Sequence, residues 1–276
     1  MKKLKGKVAV ITGAGRGIGR ILAEGFAKEG ASLVLIARTL SELKETAKQA
    51  GKQQKDILLI KADISKEKEV VRVSRKIGRK YGAINILINN AGVLGPLGMI
   101  TDSKTEDWME PLKINLLGTY LCTKYLLPLM FKSGEGKIIN LSGAGAAYPK
   151  PWFSAYAASK AAVIRLSENL AEELKKYNIQ VNALAPGGVS TRMQERIMNS
   201  EIVPKDTIRE AKEILSGGGT PPSRIIDLAI FLATEKSARL TGKFIHVNDP
   251  WRDWSRSDID EINRSDLYTL RRINPK

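Results

Sequence analysis

Residues 7 to 27 read as a strand, a glycine turn and a helix in direct succession, and few folds accommodate that order. The apolar, β-branched run KVAVI at 7 to 11 meets TGAGRGIG from Thr12 to Gly19. An apolar-periodic segment follows through Ile21, Leu22, Phe26 and Ala27. Glycines let the backbone come close to an anion, and the helix beginning there offers free amides and the positive end of its dipole. Gly13, Gly15, Arg16, Gly17, Ile18 and Gly19 are therefore candidates for holding a pyrophosphate. A glycine-rich match alone is weak; its place between a strand and a helix gives it weight.

The same alternation continues. SLVLIA at 32 to 37, ILLIKAD at 57 to 63, INILINN at 84 to 90, IQVNALAP at 179 to 186 and KFIHVN at 243 to 248 read as strands separated by helical patterns. This predicts an α/β fold: a single-domain, Rossmann-like, doubly wound parallel sheet with helices on both faces. The 276 residues, 43% hydrophobic, suffice for one large core. We assign it to 1–248 and treat 249–276 as a C-terminal extension.

Composition narrows the partners. The formal charge of +16 comes from 45 basic against 29 acidic residues, but they are spread along the chain with no long basic run and no nucleic-acid module. We read it as a solvated surface and expect no nucleic-acid partner. No stretch approaches 18 apolar residues, so no membrane span is expected. The N-terminal apolar run breaks at Gly13 into the glycine turn rather than a cleavage site, which points to a cytoplasmic protein. The single cysteine, Cys122, excludes an internal disulfide framework, and the single histidine, His246, stands without neighbours that would bind metal and reads as structural.

A strand at about 138 leads through SGAGAAYPKPWF into YAASK. Tyr156 and Lys160, four residues apart on a helix, lie about 6 Å apart along its axis on nearly one face. An ammonium so placed can lower a phenol's pKa from near ~10 and let it exchange protons near neutrality. Alone, such a pair occurs on many helix surfaces.

Taken in order, TGAGRGIG, the turn at Asp63, NNAG, Asn115, YAASK and PGGVST resemble the short-chain dehydrogenase/reductase family, from about Gly6 to about Val247. The resemblance implies hydride transfer between a nicotinamide coenzyme and a carbonyl or secondary alcohol, with Tyr156 as general acid/base. Lys160 then lowers the phenol's pKa and binds the nicotinamide ribose, and Asn115 holds a water in a proton relay. Asp63 and Ile64 frame the adenine, although Asp63 serves equally as a cap on the following turn. Asn90, Ala91 and Gly92 line the coenzyme, and Val189 and Thr191 meet the carboxamide. Arg38 ends the second strand where an acidic residue would select NAD; with Arg16 it can clamp the 2′-phosphate of NADP, the alternative being two solvated turn residues. NADP is thus the expected coenzyme.

One position departs from the family pattern. A serine usually stands 13 residues before the tyrosine, and here that residue is Gly143. Ser142 can replace it if the intervening loop carries a one-residue adjustment; otherwise it ends the strand. Gly143 motivates an alternative in which the protein binds NADP(H) as a regulator with impaired chemistry, and a nucleotide-sugar epimerase is a further enzymatic possibility. The resemblance also implies a mobile substrate lid over 192–222, closed by GGGTPP, and a homodimer or homotetramer built on the helices at about 105–131 and 154–176. Two tryptophans and alternating charges in the extension predict a docking segment.

Overall fold

The computed structural model describes residues 2–52, 56–143, 145–237 and 239–272. Strand β1 (Val8–Thr12) passes through the glycine turn into α1 (Gly17–Lys28). There follow β2 (Ser32–Ala37), α2 (Leu40–Ala50), β3 (Ile57–Lys61), α3 (Glu67–Tyr81) and β4 (Ile86–Asn89). Next come α4 (Thr105–Pro111), α5 (Gly118–Phe131), β5 (Gly136–Leu141), α6 (Ser154–Leu174) and β6 (Ile179–Ala185). The chain continues through α7 (Arg192–Met198), α8 (Lys205–Glu213), α9 (Pro222–Ala233), β7 (Phe244–His246) and α10 (Arg256–Arg264).

The strands form one parallel sheet in the order β3-β2-β1-β4-β5-β6-β7. Register keeps like faces together. Ala9 lies opposite Leu33 and Ile86, and all three join the core beneath α1, α2 and α9. Val10 lies opposite Val34 and Leu87 and joins the second core, beneath α3, α5 and α6. Strands β1, β2 and β4 thus bury both faces, as a parallel sheet with helices on either side requires. The ladders end before some of the apolar runs do: β3 stops at Lys61, opposite Ala37, and β7 spans only Phe244–His246.

Pro111 and Pro128 do not break the helical stretch between 105 and 131. The chain passes from α4 into a π-helical segment over Leu112–Leu117 and directly into α5. That wider turn carries Asn115 inward, to 1% exposure. Cys122 is buried in α5, and burial pushes its thiol up to about 12. Leu117, Tyr120 and Phe131 remain exposed on this stretch.

The extension docks on its own chain. Trp251 and Trp254 pack on Phe231 of α9 with ring centroids at 5.3 and 6.4 Å, and Trp254 also meets Tyr268 at 5.1 Å. Ser255 and Asp258 form a reciprocal capping box on α10, whose Ile259 and Ile262 are buried. Beyond α10 the Tyr268 carbonyl accepts the N–H of Phe244 at 2.7 Å, so the tail pairs with an otherwise open sheet edge. Residues 273–276 lie outside the described residues. Among the described residues no helix is long and apolar enough to cross a membrane.

Candidate active site

Strand order reverses between β1 and β4, so a crevice opens beyond their carboxyl ends. The glycine turn follows β1 there, and Asn90 follows β4. Asn90 Nδ2 donates to the carbonyls of Thr12 (2.8 Å) and Gly13 (3.3 Å), while Thr12 Oγ1 accepts the N–H groups of Asn90 (3.0 Å) and Ala91 (3.1 Å). These ties fix the turn against the sheet. Gly13 and Gly17 have φ of 65° and 52°, a conformation that costs glycine nothing. A Cβ on Gly13 would meet Ala91 Cα at 2.7 Å. Arg16 at the N-cap of α1 makes no side-chain cap, so no such cap takes the amides of the first turn. Glycine cradle and helix N-terminus together fit the pyrophosphate of a dinucleotide.

A cavity of about 1110 Å³ runs from this turn across the carboxyl ends of the strands. Gly13, Gly15, Arg16, Gly17, Ile18, Arg38, Asp63, Ile64, Asn90, Ala91, Gly92, Tyr156, Lys160, Val189 and Thr191 all line it. Gly19 does not line it: a Cβ there would come within 3.0 Å of the Gly13 carbonyl oxygen, so this glycine lets α1 close on the turn. Asp63 accepts from the backbone N–H (3.0 Å) and hydroxyl (2.7 Å) of Ser65. Burial opposes its ionisation, but the Ser65 hydrogen bonds and the Arg38 and Lys66 charges hold its carboxyl below the usual range.

Tyr156 and Lys160 both lie on the buried face of α6, 9% and 4% exposed. Lys160 Nζ sits 5.8 Å from the centre of the tyrosine ring and donates to the Leu141 carbonyl at 2.7 Å. Desolvation dominates both groups. It pushes the phenol up to about 12 and the ammonium down to about 8. The expected lowering of the phenol's pKa is therefore corrected: at this separation the ammonium does not offset the cost of burying a phenolate. Asn115 is fully engaged, its Oδ1 accepting from Val93 N at 2.8 Å and its Nδ2 donating to Val93 O (3.0 Å) and Ser159 Oγ (2.9 Å). It braces α6 against the loop after β4. Gly92 stands at the junction, where a Cβ would lie 3.2 Å from Asn115 Oδ1 and 3.4 Å from Lys160 Nζ.

Ser142 is buried just beyond the end of β5. Its buried Oγ points to the Lys160 carbonyl, at 3.3 Å. Gly143 occupies the position that faces Tyr156: a Cβ built there would lie 3.3 Å from Tyr156 Cζ and under 3.0 Å from Oη. Strand β5 ends at Leu141, with Ser142 N still bonded to Leu184 O at 2.9 Å.

Three features escaped the sequence reading. Leu94, Phe153, Ile197, Val203 and Ala211 pack with Tyr156 into an apolar cluster, so the segment after Thr191 roofs the phenol. His246 faces the cavity, its Nδ1 accepting the Asn248 N–H at 3.1 Å. Glu42 lines the cavity beside Arg16 and Arg192. An acidic residue in the first turn of α2 resembles an ordinary match to the helix dipole, and nothing local signals more. Among the described residues no cluster of three or more potential ligands could hold a metal ion.

Comparison with known proteins agrees with this architecture. The family model for short chain dehydrogenase matches residues 7–202. The 3-oxoacyl-[acyl-carrier-protein] reductase FabG of Thermotoga maritima is 35% identical over 252 residues, covering 89% of this chain and 98% of the relative. The oxidoreductase UcpA of Salmonella typhimurium is 37% identical over 246 residues, 88% of this chain and 93% of its own. Among solved structures, NAD+-bound xylitol dehydrogenase superposes with a TM-score of 0.81 at 26% identity, covering 89% of this chain and 98% of that one. A Rossmann-like sheet with the glycine turn at its switch point, Tyr156 and Lys160 on one helix above it, and these relatives place the chain in the short-chain dehydrogenase family of oxidoreductases.

Proposed function

We propose that this protein is an NADP(H)-dependent carbonyl reductase or alcohol dehydrogenase in which Tyr156 is the general acid and base. The coenzyme, when bound, supplies or accepts the hydride. The observation that carries the reading is the shared cavity: Tyr156 and Lys160, buried on one face of α6, line the same space as the glycine turn. A phenol near 12 keeps its proton at neutral pH, so Tyr156 stands ready to donate to a carbonyl oxygen as hydride reaches the carbon. Lys160, near 8, is about nine-tenths charged at pH 7 and can hydrogen-bond a ribose or return a proton to the phenol. Asn115 holds α6 in place and adjoins Lys160 at Gly92, which supports a part in the proton path. Ser142 keeps the backbone at Lys160 in position.

Arg38, at the end of β2, and Arg16 support NADP, because both line the cavity where the adenosine ribose of a dinucleotide falls in this fold. Asp63 and Ile64 would flank the adenine, and Val189 and Thr191 the carboxamide. The exposed Leu117, Tyr120, Phe131 and Tyr177 along α5 and beside α6 support assembly of a homodimer or homotetramer through those helices.

Fluorescence titration with NADPH and NADH, then NADPH consumption against diketones, keto sugars, ketoacyl thioesters and steroids, tests the proposal. Tyr156→Phe should abolish turnover and leave NADPH binding intact; comparable turnover in that variant would sink the mechanism. A second reading, a nucleotide-binding regulator, is favoured by the absence of a side-chain hydroxyl at Gly143. It predicts tight NADPH binding with no turnover across the panel.

A further inference from the structure

Glu42 sits in the first turn of α2, four residues beyond Arg38. Its Oε1 accepts from Arg16 Nη1 at 3.3 Å and from Arg192 Nη1 at 3.2 Å. Arg16 belongs to the glycine turn and Arg192 opens α7, so one carboxylate ties together three segments around the rim of the cavity. The side chain of Glu42 is 23% exposed, against 51% and 64% for the two arginines, so the anion lies beneath its cations. It also lies against the turn itself: a Cβ on Gly15 would come 2.9 Å from Glu42 Cβ and 3.1 Å from Oε2.

We propose that Glu42 sets coenzyme selectivity by restraining the preference for NADPH over NADH. The inference rests on the reading of this cavity as the coenzyme site. A carboxylate here engages Arg16 and Arg192 and repels a 2′-phosphate, whereas an unphosphorylated ribose brings no charge to repel and offers hydroxyls that a carboxylate accepts. Arg38, which is not held by Glu42 and whose charge also acts on Asp63, keeps the attraction to phosphate. Selectivity is then the difference between Arg38 pulling and Glu42 opposing, and not a property of the arginines alone.

Equilibrium titration of wild-type protein and Glu42→Gln with NADPH and NADH, followed by coenzyme fluorescence, tests it. Glutamine keeps the shape and removes the charge. NADPH should bind about five- to tenfold tighter in Glu42→Gln, NADH should change by less than about twofold, and the gain should shrink in ~1 M salt. In the Arg16→Gln background the gain from Glu42→Gln should fall to about half or less, because part of it passes through Arg16. If Glu42→Gln fails to fold, Glu42→Ala reads the same ratio, since the contact this residue makes within α2, Thr46 Oγ1 to the Glu42 carbonyl at 3.1 Å, is to backbone. An NADPH/NADH affinity ratio within about twofold of wild type overturns the proposal and leaves the coenzyme site standing. Wild-type protein that binds neither nucleotide overturns both.

Discussion

Gly143→Ser would bring the family's serine to position 143, and by family pattern alone it should raise activity. The structure predicts the reverse. A Cβ at 143 would sit under 3.0 Å from Tyr156 Oη, when ordinary contact begins at 3.4 Å. The phenol oxygen must therefore retreat by roughly 0.5–1 Å, or the backbone after β5 must shift by as much. Tyr156 has little room to do so, because Leu94, Phe153 and Ile197 pack around it and α6 is buried beneath. Overpacking of this kind costs about 1–3 kcal/mol of stability, and displacement of a proton donor by about 1 Å costs on the order of 100-fold in rate. Gly143→Ser should therefore lower kcat by about 10- to 100-fold and the unfolding free energy by about 1–3 kcal/mol, with NADPH affinity nearly unchanged. NADPH oxidation on a substrate found by the carbonyl panel, urea unfolding and fluorescence titration give the three quantities. A variant with higher kcat and unchanged stability would refute the reasoning, for it would show that the space beside Oη is open and that the missing hydroxyl is the defect.

Ser142→Ala should cost about 1 kcal/mol or less and change kcat by under about threefold, because its Oγ contacts the Lys160 carbonyl and not the phenol; a loss near 1000-fold would return Ser142 to the chemistry. Lys160→Met bears on the buried charge. Between about 8 and the ordinary 10.5 the unfolded chain binds more protons at Lys160 than the folded one, so coenzyme-free wild type should gain stability as pH rises from 8 to 10, up to the order of 3 kcal/mol. Above 10 the raised phenol acts in the opposite sense, since the unfolded tyrosine loses its proton first. Lys160→Met should flatten the rise in urea unfolding at pH 7 to 10; parallel curves would show that desolvation does not govern this lysine. Trp254→Ala should lower the unfolding free energy by about 2 kcal/mol through its lost contacts with Phe231 and Tyr268, read by thermal melting, and an unchanged melt would show that the extension adds nothing to the fold.

The sequence by itself determined the order of elements, the parallel sheet, the glycine turn between β1 and α1, and the placing of Tyr156 and Lys160 on one helical face. These follow from periodicities of two and 3.6 residues and from glycine's lack of a Cβ, which act over a few neighbours. Tertiary structure decided the rest. Counting back from Tyr156 marked Gly143 as the position facing the phenol, but how closely the backbone there approaches Tyr156 Oη depended on how the turn after β5 meets α6. The sense of the phenol's shift depended on how completely packing excludes water, a sum over Leu94, Phe153, Ile197 and their neighbours that no four-residue spacing contains. Glu42 meets Arg192 across 150 residues of chain, and the carbonyl of Tyr268 meets the edge of β7 in a tail whose Trp251 and Trp254 pack on Phe231 of α9. Local pattern fixes which groups are present and which way they face along an element; desolvation and long-range contact, which set their chemistry, exist only after the elements have packed.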